Sequence, residues 1–286
     1  MNDLSDLLQR LAHECAVLVS VQATRGSVPR EAGSWMAVFA HAVLGSIGGG
    51  RLERDAMLHA RQLLAQSALA ASGAAAAPAG TVQQQHYRLG PNLGQCCGGE
   101  VQLQYEVLEV LAVLGPAAVT ALRQRLGTAH TPLALFGAGH VGRALVQVFA
   151  NLPWQLNWID SRDEIFPGSV PSNVMCEHSD PVQAAVSTLM PGSQVLIMSF
   201  SHAEDLDIVA ACLARQRLQA DLPFIGLIGS KTKWASFCSR LRQRGFTDTE
   251  LNQITCPIGI PGLRDKRPQA IAIAVVAQLL LLQQAG

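Results

Sequence analysis

The chain has 286 residues, of which 49% are hydrophobic and 15% charged, which excludes a disordered polypeptide and allows one large domain or two ordinary ones. Lys plus Arg and Asp plus Glu both number 21, so no net charge draws the chain to nucleic acid or an anionic membrane. The longest apolar stretch, residues 270–282, is interrupted by Gln278 and falls short of the ~18 residues a membrane span needs, so it reads as a buried terminal helix.

The first residues lack the basic start and apolar centre of a signal peptide. Seven cysteines, an odd number scattered through a long chain, do not form a disulfide framework. A reducing cytoplasm is the expected compartment.

Residues 5–14 read as a short amphipathic helix, with Leu4, Leu7, Leu8 and Leu11 on one face. Residues 16–23 hardly alternate and predict a strand buried on both faces. Thr24-Arg-Gly-Ser-Val-Pro-Arg30 follows as a loop, either a surface turn or an anion site in which Arg25 and Arg30 fork onto phosphate or carboxylate. Two short strands, 34–39 and 42–47, lead to Gly48-Gly49-Gly50 and a helix over 51–66. The triple glycine is either a flexible turn or a place where backbone approaches a ligand, and Glu53 and Asp55 oppose the dipole in the first helical turn. Residues 68–80 are low in complexity and read as a loop or frayed helix end. A strand over 83–89 precedes the loop Leu89-Gly-Pro-Asn-Leu-Gly-Gln-Cys-Cys-Gly-Gly-Glu100, and residues 101–107 alternate as a half-exposed strand. Pro116 opens a connecting helix over 117–126.

The domains expected are a mixed α+β unit over 1–115, a connecting helix and linker over 116–130, and a doubly wound, Rossmann-like α/β unit over 131–286. In the last, strands at 133–136, 155–159, 194–199 and 223–228 alternate with helices at 141–150, 181–189, 203–218, 231–244 and 269–284. Ser201 with Glu204, and Thr247 with Glu250, have capping-box spacing. Strand 133–136 runs into Gly137, Gly139 and Gly142 in G-x-G-x-x-G spacing. Those glycines provide a tight turn, backbone approach to a phosphate, and close helix–strand packing. Asp160 stands about 20 residues on, where such turns carry an acid for a ribose. His140 at the helix start either touches a phosphate or caps the helix. His202 lies at a strand carboxyl end, the ligand side of such a sheet. Lys231 reads as a solvated lysine at a helix start, because the P-loop pattern is absent.

Cys96 and Cys97 are reachable thiols in a glycine-rich loop, where loop amides lower a thiol pKa and a thiolate serves as nucleophile or soft metal ligand. Gly94, Gly98 and Gly99 leave them little to pack on. Their adjacency does not fit a C-x-x-C redox or zinc site. Cys15, Cys176, Cys212 and Cys238 read as core filling, with Cys256 the least settled. No Ser-His-Asp order, no H-E-x-x-H and no paired carboxylates appear in one short motif. Carrying a ligand therefore fits better than turning one over.

In order, Thr24–Arg30, Gly48–Gly50 with Glu53, Leu93-Gly-Gln-Cys-Cys-Gly-Gly99, Phe136–Gly142, Ile225–Lys231 and Cys256-Pro-Ile-Gly259 resemble the xanthine dehydrogenase accessory proteins of the XdhC/CoxI family. The likeness departs at Lys266-Arg-Pro268, where a small hydroxyl residue before the proline is expected. The resemblance implies an accessory protein, not an enzyme, that binds molybdenum cofactor (molybdopterin) while a cysteine desulfurase installs the sulfido ligand. The cofactor then passes to the molybdenum subunit of apo-xanthine dehydrogenase, in purine catabolism. It implies Cys97, with Cys96 beside it, as the molybdenum contact, and a homodimer. Arg25, Arg30 and the turns at Gly49, Gly98, Gly99, Gly137, Gly139, His140 and Gly142 are then expected to hold the anionic pterin end. The alternative is an NAD(P)-dependent oxidoreductase using Gly137–Gly142 and Asp160, with His202 as its acid or base.

Overall fold

The computed structural model describes residues 3–71, 82–89, 98–127 and 130–284. The chain divides into two units, Met1–Gly127 and Thr128–Gly286.

The first unit contains α1 (Asp3–Leu11), β1 (Ala16–Arg25), β2 (Trp35–Val38), β3 (Val43–Gly45), α2 (Gly50–Ala71), β4 (Val82–Arg88), β5 (Glu100–Leu108) and α3 (Leu111–Leu126). Its strands form one antiparallel sheet in the order β3-β2-β1-β5-β4. β1 fails to alternate because both its faces are covered in its first half. Val17, Val19 and Val21 pack in the cluster under α2, and Ala16 and Leu18 in the cluster under α1 and α3. β5, at the side of β1, alternates buried and half-buried residues instead. α2 runs to Ala71, beyond the helix read from sequence, and its added turn is rich in alanine, the best helix former. α3 breaks at Gly115, whose backbone is non-helical (φ 73°), and Pro116 starts the second segment.

The second unit contains β6 (Thr131–Phe136), α4 (His140–Phe149), β7 (Trp154–Asp160), β8 (Val174–His178), β9 (Gln194–Ile197), α5 (His202–Gln219), β10 (Phe224–Leu227), α6 (Lys231–Gln243), α7 (Asp248–Leu251), β11 (Ile254–Thr255) and α8 (Pro268–Gln284). All six strands are parallel, in the order β11-β10-β9-β6-β7-β8. Counted within the unit this is 6-5-4-1-2-3, the dinucleotide-fold order, whose reversal point lies between β6 and β9. One face packs Leu133, Leu135, Leu156 and Trp158 against Leu145, Phe149, Val275 and Leu279 of α4 and α8. The other packs Ala134, Phe136, Ile197 and Leu227 against Leu206, Val209 and Leu241 of α5 and α6.

Two edge strands, β8 and β11, are absent from the sequence reading. β8 is half polar and β11 has two residues, so neither carries an apolar run. The helix expected over 181–189 is a 3-10 helix, Val182–Thr188. Ser187 and Thr188 bond back to the carbonyls of Ala184 and Ala185 at 2.8 and 3.0 Å, which competes with α-helical pairing. No described helix is long and apolar enough to cross a membrane.

One buried cation fastens this unit. Arg215, 7% exposed, donates to the carbonyls of Val186 and Leu189 at 2.7 and 2.8 Å and to both carboxylate oxygens of Asp221 at 2.9 and 2.6 Å. It ties α5 to the 3-10 helix and to the turn entering β10. Removing it takes the Arg215 donors from two carbonyls and leaves the Asp221 carboxylate without its cation. Arg215→Ala is therefore expected to lower the unfolding free energy by about 3–5 kcal/mol, read from chemical denaturation. A loss below about 1 kcal/mol, the value of an exposed pair, would contradict this role.

Candidate functional site

In the first unit three loops meet at glycine contacts. β1 delivers Arg25 to a loop whose Ser27 carbonyl accepts from the Gly99 amide at 3.1 Å, while the Gly99 carbonyl accepts from Leu89 at 2.8 Å. A Cβ on Gly99 would overlap the Ser27 carbonyl oxygen and lie 2.6 Å from that of Arg25. A Cβ on Gly48, at φ +116°, would overlap Pro29 and lie 3.3 Å from Arg30 Cγ. The loops of residues 25–30, 48–50 and 98–99, far apart in the chain, are thereby one seam. Arg25 and Arg30 are exposed on it, Arg30 pairing with Glu31 at 3.3 Å. Cys96 and Cys97 lie outside the described residues, while Gly98, exposed, and Gly99, buried, follow them inside.

Glu53 organises the glycine loop from the first turn of α2. Its Oε2 accepts from Ser46 Oγ at 2.6 Å and from the amides of Ile47 and Gly49, both at 3.0 Å, and Ser46 Oγ accepts from Gly48 at 3.1 Å. Burial pushes the Glu53 carboxyl upward, but the bonds from Ser46 and from the Gly49, Ile47 and Gly48 amides outweigh it. The group stays below the ordinary glutamate value. Gly49, expected to face a ligand, thus directs its amide inward. Beside it Gly50, Arg51, Arg54, Asp55 and Leu58 line an open depression of about 650 Å³, with Arg51 3.9 Å from Asp55. The two arginines escaped the sequence reading, although their place in the first turn after a triple glycine was visible.

A polar chain between α2 and the sheet also escaped it. Tyr87 Oη bonds Gln85 at 2.6 Å and Tyr105 Oη at 2.8 Å, and His59 lies within 3.0 Å of Gln85 and 3.3 Å of Gln83. Burial, then the bond with Tyr87, pushes the Tyr105 phenol far above its usual range, so it stays neutral. Its signal was the inward alternation of Gln83, Gln85 and Tyr87 along β4.

In the second unit, β6 ends in the glycine turn. A Cβ on Gly137 would overlap the Met198 carbonyl oxygen, and one on Gly142 would overlap the Gly137 carbonyl oxygen. Nothing lies within 4 Å of a Cβ on Gly139, which stands open at the N-cap of α4 beside the exposed His140. Asp160 ends β7. Its carboxylate accepts from the Ala138 amide at 2.6 Å, from the Arg162 amide at 3.0 Å, and from Arg162 Nε and Nη2 at 2.9 and 2.8 Å. Burial raises this carboxyl, but Arg162 and the two amides more than offset it, and the net shift is downward. The Arg162 guanidinium lies 4.7 Å from the ring centre of Phe200. Ser161 Oγ donates to Glu204 Oε1 at 2.6 Å, so the expected capping box is half made. Ser201 receives the Glu204 amide, but the Glu204 side chain crosses to Ser161, just past β7. The Thr247 box is complete.

At the next strand ends, Lys233 Nζ donates to Asp205 at 2.6 Å and to the Ile228 carbonyl at 2.9 Å, and Asp205 receives the Ser199 amide and hydroxyl. Lys231 is exposed, so the lysine engaged at the sheet is the one two positions on. Cys256 Sγ abuts the same point at Gly229 as the Lys233 stem, and burial pushes its thiol up to about 11, against the pull of Lys233. His202 is exposed, with its ring edge-on to Phe237 at 6.4 Å. Among the described residues no three His, Cys, Asp or Glu side chains are placed to hold a metal ion.

A family model described as the XdhC Rossmann domain matches residues 133–279, and one described as the XdhC and CoxI family matches residues 10–80. YqeB of Escherichia coli strain K12, an uncharacterized protein, is 27% identical over 265 residues, which are 90% of this chain and 41% of the relative. The chain therefore spans about two-fifths of that relative's length. The crystal structure of a xanthine dehydrogenase, BH1974 from Bacillus halodurans, aligns over 100% of this chain and 96% of its own, with a TM-score of 0.76 and 19% identity, a likeness of fold.

The three turn glycines separate experimentally. Gly137→Ala and Gly142→Ala should each cost about 2–4 kcal/mol in urea unfolding, because backbone must move. Gly139→Ala should cost less than about 1 kcal/mol, the scale of a lost N-cap preference. Equal losses at 139 and 142 would contradict the open position.

Proposed function

The chain belongs to the XdhC and CoxI family, and on that premise we propose that it matures a xanthine dehydrogenase by holding its molybdenum cofactor. In this reading the cofactor is held while a cysteine desulfurase supplies the sulfido ligand, then delivered to the apo-dehydrogenase. The chain works as a carrier without turnover of its own, in the cytoplasm, as a homodimer, and in service of purine catabolism.

The observation that carries the reading is the glycine seam of the first unit. Gly99 against Arg25 and Ser27, and Gly48 against Pro29 and Arg30, bring two exposed arginines to Gly98 and Gly99, which follow Cys96 and Cys97 in the sequence. The donor set fits the cofactor's chemistry at its anionic end. Exposed guanidinium groups recognise a phosphate by paired hydrogen bonds, and Arg51 and Arg54 add charge beside the same loop. Bound molybdenum would supply an acceptor for a thiolate, and Cys97 is the residue assigned to it. The chain's own part is to present that thiolate, neutralise the phosphate and exclude water from the sulfido ligand. Glu53 supports this by fixing the Gly48–Gly49 turn against Arg30, and its inward bonds leave the arginines rather than loop amides to meet the anion.

The test is co-purification from a molybdate-supplied host that expresses the dehydrogenase and the desulfurase. Cys97→Ala should retain at least about tenfold less pterin and molybdenum per folded chain than the parent protein. Arg25→Ala with Arg30→Ala should lose less, and Cys15→Ala nothing. Undiminished molybdopterin in Cys97→Ala, with the dehydrogenase still activated, would defeat the assignment.

A further inference from the structure

Asp160 occupies the position at which dinucleotide folds bind the adenosine ribose: the end of the second strand of the unit, beside the glycine turn. There a carboxylate accepts both hydroxyls of the ribose diol. Here the same carboxylate already holds four hydrogen bonds. Oδ2 takes the Ala138 amide and Arg162 Nη2, and Oδ1 takes the Arg162 amide and Nε. An ionised carboxylate has about four lone-pair sites, so no acceptor remains for a diol. Asp160 is 2% exposed, which leaves no room for a second set of partners.

The remainder of Arg162 extends from Asp160 to the residues just past β9. Its guanidinium covers the ring of Phe200, which stands just past β9, across the reversal point from β7, and is 66% exposed. An exposed phenylalanine at the ligand end of such a sheet is a stacking platform, and a guanidinium stacks on it as a base does. Glu204 lies close enough to stabilise the charge on Arg162. Its Oε2 is buried and has no partner among the described residues.

We propose that Arg162 is a specificity-determining residue that fills the adenosine subsite of the Rossmann unit from within. It satisfies Asp160 in place of a ribose diol and covers Phe200 in place of a base, which closes the unit to NAD(H). NADP(H) is closed out as well, because its 2′-phosphate would stand between the carboxylates of Asp160 and Glu204, with one guanidinium to answer both. Clearing Arg162 opens the subsite to NAD(H) and leaves NADP(H) repelled. The inference concerns the second unit alone and stands apart from the role of Cys97.

Fluorescence titration with NADH and NADPH, on proteins whose folding is checked by circular dichroism, decides it. The parent protein should show no saturable binding of either at millimolar concentration. Arg162→Ala should bind NADH at least about tenfold more tightly than the parent, since a site built to bond a hydroxyl discriminates strongly once its acceptor is free. It should prefer NADH to NADPH, and adding Asp160→Asn should abolish the gain. Where Arg162→Ala does not fold, Arg162→Val serves, because it keeps apolar packing at the strand end and carries no side-chain donor to occupy Asp160. Saturable NADH binding by the parent as tight as by the variant would overturn the proposal, as would no gain in either folded variant.

Discussion

A Cβ on Gly99 would lie 2.6 Å from the Arg25 carbonyl oxygen and overlap that of Ser27, and the first unit's candidate site depends on that atom being absent. Backbone against backbone is the closest packing a chain can reach. It is used here to join the end of β1 to the residue just before β5. A missing Cβ likewise lets the Gly48 turn close on the Pro29 side chain and, in the second unit, the Gly137 turn close on the Met198 backbone. Each contact draws a polar loop to the rim of a sheet whose interior is conventional apolar packing. The sheets supply rigidity, and the glycines decide which loops become neighbours.

A second device recurs at these rims. Glu53, Asp160 and Asp205 are carboxylates set at the end of a strand or in the first turn of a helix, and each gathers at least one backbone amide and a hydroxyl or cation around itself. Such a carboxylate satisfies turn amides that would otherwise sit unpaired at a crowded edge. It also removes those amides from the set that could meet a ligand. The loops that look like phosphate cradles therefore offer fewer free donors than their glycine content suggests, and side-chain cations carry more of any anion recognition.

Much of the architecture was legible because it follows from periodicity. The unbroken apolar run of β1, the alternation of β5, and the strand–turn–helix around Gly137 each express one physical pattern. β8 and β11 were not legible, because an edge strand is held by its neighbour's hydrogen bonds rather than by burial. The 182–188 segment looked helical because its apolar spacing does not register hydroxyl-to-carbonyl bonding. The site was legible by residue type and less so by partner. Asp160 was identified as the acid, but nothing in a spacing rule says that Arg162, two residues on, turns back to hold it. Lys231 drew notice for following Gly229-Ser230, yet helix geometry points Lys233 at the strand ends. The chain from His59 to Tyr105 joins residues from three elements, and only their register on the sheet brings them together.

The Rossmann fold itself does not decide function, since its turn and strand order serve many ligands. The first unit supplies the distinctive chemistry, with two exposed arginines on a glycine seam and, in the sequence, the Cys96-Cys97 pair directly before Gly98. The most direct test is the molybdenum and pterin content of the unaltered protein isolated anoxically from a molybdate-fed host. Stoichiometric molybdenum and molybdopterin, released together on denaturation, is the result expected. Folded protein free of both, in a host whose dehydrogenase it nonetheless activates, would contradict the carrier role.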